Sequence, residues 1–134
     1  MATIGDVEGI DPKSATRLRK AGVRTTEGLL RVASTSKGRK DLAERTGLAA
    51  ATLLGWVNRA DLMRIKGVGS EYADLLETAG CDTVKELRRR NPSNLTASMV
   101  EINDRKRLVR RLPTEAMVIA WVEEAKTMNS AVKH

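Results

Sequence analysis

The chain has 134 residues, with 24 Lys and Arg against 17 Asp and Glu and a formal net charge of +7; that length holds one domain or two very small ones and excludes a large multi-domain enzyme. Aromatic residues are only 2% (Trp56, Trp121, Tyr72 and no Phe), too few for RRM or single-strand-binding OB folds, which stack bases on rings. One cysteine, Cys81, and one histidine, His134, exclude an internal disulfide framework and a Cys/His zinc site and fit a reducing compartment, while the surplus of positive charge favours polyanionic partners.

Apolar residues recur at spacings of three and four, as at Ala15, Leu18, Ala21 and at Leu75, Leu76, Ala79, with no sustained period of two. This predicts an all-α, compact array of about eight or nine short helices. Pro12 suits the first position of a helix over 12–21, and Gly22 can end it in the left-handed conformation. Helices over 25–33, 38–46, 49–58 and 60–64 follow by the same periodicity, and Gly80 closes one over 70–79. Thr83 with Glu86 has the spacing of a capping box and opens 83–90. Pro92, then Pro113 with Thr114, mark the starts of 93–108 and 114–128. No stretch reaches 18 apolar residues and the N-terminus lacks a secretory pattern, so a soluble cytoplasmic protein is expected.

Shifted by 58 residues, the chain aligns with itself: Gly9 with Gly67, Ala15 with Ala73, Leu18 with Leu76, Ala21 with Ala79, Gly22 with Gly80, Thr25 with Thr83 and Leu29 with Leu87. The expected organisation is a single domain over 1–134, with repeat one at 4–34 and repeat two at 60–90. A connector at 37–58 and C-terminal helices at 93–128 complete it.

The tract Ile65-Lys66-Gly67-Val68-Gly69-Ser70-Glu71-Tyr72-Ala73 resembles the apolar-x-Gly-apolar-Gly-x-x-x-Ala hairpin of the helix-hairpin-helix superfamily. Ala21 to Leu30 is similar to a piece of the C-terminal domain of bacterial RNA polymerase alpha. Over about residues 4–127 the chain also resembles an uncharacterised bacterial family of tandem helix-hairpin-helix-like domains, named as a domain of unknown function. Leu42 to Leu48, Trp56 to Gly69, Arg89 to Pro92 and Leu108 to Pro113 carry that match.

The superfamily resemblance implies backbone amides that approach a phosphate closely, and hence binding of duplex DNA without sequence preference. The residues it points to are Gly67, Val68, Gly69 and Ser70, with Lys66 and Arg64 supplying charge, and by the repeat Gly9 to Lys13. Asp11 stands where a second glycine is expected and Glu71 where a basic residue is frequent, so each hairpin places a carboxylate near the implied phosphate. The tract from Leu42 to Val57 resembles a helix-turn-helix, with Ala43, Gly47 and Leu53 at its small, turn and core positions. Its second helix opens on Ala49, Ala50, Ala51 and Thr52, which offer base edges little to hydrogen-bond, so sequence readout is not expected.

Basic residues cluster at Arg17, Arg19, Lys20 and Arg24, at Lys37, Arg39 and Lys40, at Arg88 to Arg90 and at Arg105 to Arg111. The functional reading joins the first two of these clusters to the first hairpin as one phosphate-tracking surface, with Lys13, Arg17, Lys20, Lys37, Arg39 and Lys40 as its candidate contacts; otherwise these are solvated faces. An enzyme is not expected: there is no Ser/His/Asp or Cys/His set, no phosphate-binding loop and no metal motif, and adjacent Glu123 and Glu124 point to different sides of a helix. No cofactor, metal or small-molecule substrate is expected, and no membrane association. Cys81 and the stripe Met117, Val118, Trp121, Val122 and Ala125 read as core. The alternative function is a protein-interaction or self-association module, one version being a homodimer through the terminal helix.

Overall fold

A computed structural model describes residues 2–134. Among them the fold is all-α, with eight helices and no strand; Thr3 and Thr25 form an isolated antiparallel bridge. The chain divides into two compact units, one reaching to Asp61 and including Ala131–His134, the other spanning Leu62–Ser130.

The first unit opens on a 3-10 turn, Ile4–Asp6, followed by α1 (Pro12–Lys20), α2 (Thr26–Ala33), α3 (Ser36–Thr46) and α4 (Ala50–Leu62), whose last residue already counts with the second unit. The second unit contains α5 (Ser70–Thr78), α6 (Val84–Leu87), α7 (Pro92–Lys106) and α8 (Glu115–Lys126). The helices expected over 49–58 and 60–64 are one, α4, because no Gly or Pro interrupts Asn58 to Leu62. The helix expected over 83–90 shortens to α6: Arg89 N–H and Arg90 N–H donate to the carbonyls three residues back, Glu86 and Leu87, tightening the end into a turn.

Matching sequence signals produce matching local structure in the two units. Gly22 and Gly80 both sit at φ +88°. Behind them, Val23 N–H donates to the Leu18 carbonyl and Cys81 N–H to the Leu76 carbonyl, each at 2.9 Å, the six-to-one bond of a Schellman helix end. Thr25 and Thr83 then accept from Gly28 N–H and Glu86 N–H at 3.0 and 3.2 Å and start the next helix.

The first core gathers Ile4, Leu18, Val23, Leu29, Leu42, Leu53 and Val57, all fully buried. The second gathers Leu62, Leu75, Leu76, Leu87, Leu95, Met99 and Val118 around Trp121. Each fully buried Leu, Val or Ile contributes about 1.5–3 kcal/mol of burial free energy, which explains how a chain with so few rings still packs.

The repetition extends beyond the segments that align at 58 residues. Leu53, Trp56, Val57 and Ala60 of α4 correspond to Val118, Trp121, Val122 and Ala125 of α8, with buried side chains at all eight positions. The connector at 37–58 and the C-terminal helices therefore occupy corresponding places in the two units.

Candidate nucleic-acid interface

Two glycine turns carry the amides to which the hairpin resemblance points. In the first, Ile10 N–H donates to the Val7 carbonyl at 3.2 Å; in the second, Val68 N–H donates to the Ile65 carbonyl at 3.1 Å. Gly9 and Gly67 hold these turns at φ +89° and +88°, where a side chain is strained. Each glycine is backed by an indole: a Cβ on Gly9 would lie 3.6 Å from Trp56 Nε1, and one on Gly67 3.4 Å from Trp121 Nε1. Trp56 and Trp121, the latter expected as core, are 7% and 3% exposed and also shape the turns.

Several groups expected to contact phosphate are engaged inside the fold. Val68 is buried and its amide serves its own turn. Lys66 N–H donates to both carboxylate oxygens of Glu124, at 3.2 and 3.4 Å, so an internal anion lies on the second turn. Arg64 donates to the Asn129 carbonyl at 3.1 Å. Gly69 is the N-cap of α5, and Ser70 is its first residue. At the corresponding place of the first unit, Arg59 donates to the Glu8 carbonyl.

Asp11 is the N-cap of α1, with Pro12 behind it. The Ser14 hydroxyl holds the Asp11 carboxyl below its ordinary value against the opposing effect of desolvation, with lesser help from backbone N–H groups and Arg17. A carboxylate at a helix start is favoured by the helix dipole, so Asp11 serves α1 itself.

The cationic side chains divide clearly. Lys13, Arg17 and Lys20 are exposed, and their spacing of four and three places them on one face of α1. Lys37 and Lys40 are also exposed, on the first turns of α3. The far end of α3 reaches α1: Arg45 donates to the Ala21 carbonyl at 3.2 Å, and a Cβ on Gly47 would stand 3.8 Å from Arg17 Nη1. Lys37 is about 15 Å along α3 from that junction, so the lysines of α3 flank the α1 set.

Arg39 is only 4% exposed. Its guanidinium donates to the carbonyls of Ala33, Ser34 and Lys133 at 3.1, 3.0 and 2.7 Å, and Lys133 N–H returns a 2.8 Å bond to Ser34. It joins the α2–α3 turn to the C-terminal segment and presents no surface to a ligand. Its place in a basic triplet gave no sign of this, since burial is decided by how α3 packs.

What the sequence reading misses is the contact of Glu124 with the Lys66 amide. Its signal was the match of Ala51 to Ala60 with Ala116 to Ala125, seen only if the repeat is allowed to lengthen between the helices. No group of three or more His, Cys, Asp or Glu among the described residues could hold a metal ion. No helix among them is long and apolar enough to cross a membrane.

These features define an all-α protein of two similarly ordered helical units, each with a tryptophan-backed glycine turn. The chain belongs to the family described as domain of unknown function (DUF4332), which matches residues 8–128. It finds no match among curated proteins or solved structures.

Proposed function

We propose that this protein is a non-enzymatic, helix-hairpin-helix-like module that binds duplex DNA without sequence preference, through exposed cations of the first unit centred on Lys13, Arg17 and Lys20. The observation that carries this reading is the alignment of those three side chains on one exposed face of α1, flanked by Lys37 and Lys40. The first unit has 12 Lys and Arg against 7 Asp and Glu, the second 12 against 10, so most of the excess charge belongs to the first. Gly9 and its turn adjoin this face at the start of α1. The second turn, with Glu124 on its amide, has a lesser part, and Arg39, buried on backbone carbonyls, has none. Phosphate contacts of this kind position a duplex and do not read bases, which agrees with the alanines at the start of α4.

The test is fluorescence anisotropy with labelled duplexes of unrelated sequence at about 50 and about 200 mM salt. Neutralising three phosphates predicts an affinity loss of roughly 40-fold over that range. Charge reversal of Arg17, Lys20 and Lys40 together should weaken binding to all duplexes alike by more than tenfold. Unchanged binding by that variant, or no binding at the lower salt, overturns the reading.

A further inference from the structure

We propose that residues 131–134 are a releasable strap: a short segment that closes on a ready-made seat in the first unit and opens from it while that unit stays folded. The chain leaves the second unit after Ser130, and Ala131–His134 belong to the first. On one side of this crossing the Asn129 carbonyl is held by Arg64; on the other, Val132 is buried. Ser130 and Ala131, between these two anchors, lie in neither helix nor strand and are the hinge.

The seat is built on the α2–α3 turn. Lys133 N–H donates to the Ser34 carbonyl at 2.8 Å, and Arg39 Nη2 donates to the Lys133 carbonyl at 2.7 Å. Both backbone groups of one residue are thus met, as when an extended peptide adds to a sheet edge. Arg39 Nη1 holds the Ala33 and Ser34 carbonyls, at 3.1 and 3.0 Å, without the strap. The guanidinium therefore keeps its place when the strap leaves, and the seat is pre-organised to receive it again.

Arg39 marks this place as more than packing. Counted from their N-caps, Thr35 and Asn91, Arg39 and Leu95 hold the same position in α3 and α7. Leu95 packs into the second core. A leucine fills such a position without taking a cation out of water, which is costly unless hydrogen bonds compensate it. What the guanidinium adds is a cap for the last carbonyls of α2 and, beyond the helices of the unit, a donor for Lys133.

Little holds the strap closed. Val132 is its one buried side chain, at 6%; Ala131 is half-buried, and Lys133 and His134 are exposed. Against that burial and two hydrogen bonds stands the conformational freedom of the residues that closing orders. Opening breaks no bond within a helix, and water takes both vacated places on the seat. Segments with so few buried contacts open locally at a small fraction of the global unfolding free energy. The open seat fits an extended segment with one small aliphatic side chain, gripped through its backbone, and the strap is that segment in cis. It uses no residue of the α1 face, so the strap and DNA binding can fail separately.

The test is amide hydrogen exchange on the full chain, followed by NMR. The Lys133 amide, bonded to Ser34, should exchange at least about 100-fold faster than that of Leu42 in α3, after correction for intrinsic rates, because the strap opens without the unit. Val132→Gly, which alters neither Arg39 nor Ser34, should speed Lys133 exchange by about tenfold more and leave Leu42 within about threefold. The peptide Asn-Ser-Ala-Val-Lys-His, added to that variant, should shift the Ser34 and Arg39 amides. It should bind the wild-type chain at least about tenfold more weakly, since there the strap fills the seat; with Ser for Val the peptide should lose a similar factor on the variant. The proposal is overturned if Lys133 exchanges no faster than Leu42, if Val132→Gly speeds both alike, if the peptide shifts neither amide, or if it binds wild type and variant equally.

Discussion

Arg39 and Cys81 show how far a residue's surroundings set its role. Removing the Arg39 guanidinium leaves the carbonyls of Ala33, Ser34 and Lys133 without that donor in a place with little access to water. Arg39→Ala should therefore cost about 3 kcal/mol in urea denaturation, since each buried group left unsatisfied costs about 1–3 kcal/mol and some will rehydrate. Arg39→Lys should recover only part of the loss, because an ammonium cannot span three carbonyls as a guanidinium fork does. Burial pushes the Cys81 thiol up to about 12, from 9.0 when exposed, although Arg90 opposes the shift. The unfolded thiol loses its proton first, so this contribution to stability is complete below pH 9 and is lost as pH rises toward 12. A thiol reagent at pH 8 should accordingly label Cys81 only when the chain opens, which a comparison of labelling with and without urea measures.

At the scale of the helix, identical substitutions should have opposite signs according to what each element meets. Gly38 lies in the first turn of α3, and a Cβ there would run into the Val32 carbonyl oxygen. Gly55 lies inside α4 with nothing within 4 Å of a Cβ. Gly38→Ala should destabilise by 1 kcal/mol or more, in order-of-magnitude terms; Gly55→Ala should stabilise by about 0.5–1 kcal/mol through helix propensity. Paired thermal melts check both, and a loss of stability in Gly55→Ala would contradict the open surroundings of that position. The link from α8 to the second turn gives a further test. Glu124→Ala removes the acceptor of Lys66 N–H and should cost about 1 kcal/mol.

For the whole molecule, the unequal division of charge between the units predicts unequal contributions to DNA binding. Arg110→Glu, in the second unit, should reduce duplex affinity by a smaller factor than Lys20→Glu, in the first, when both are measured at the same salt. Equal losses would spread the interaction over both units and away from the α1 face. Much of the architecture was legible before any fold was known: the all-α class, seven helices to within a few residues and the shared Gly22 and Gly80 helix ends. The exposure of the candidate contacts was legible only in part. Lys13, Arg17 and Lys20 are exposed on one face as their spacing implies, whereas Arg39 and the Val68 amide are buried and Lys66 N–H is engaged by Glu124.

By itself the sequence determined what depends on neighbours along the chain. Threonine caps, proline starts, glycine ends and the three-four apolar rhythm act over a few residues, and a local signal suffices for each. Only the tertiary structure decided which cations reach solvent, which carboxylate lies on a turn amide, and that residues 131–134 return to the first unit. Those outcomes depend on packing between residues far apart in sequence, such as Arg39 with Lys133 or Lys66 with Glu124, and burial, which sets the cost of each unpaired group, arises only when the helices come together.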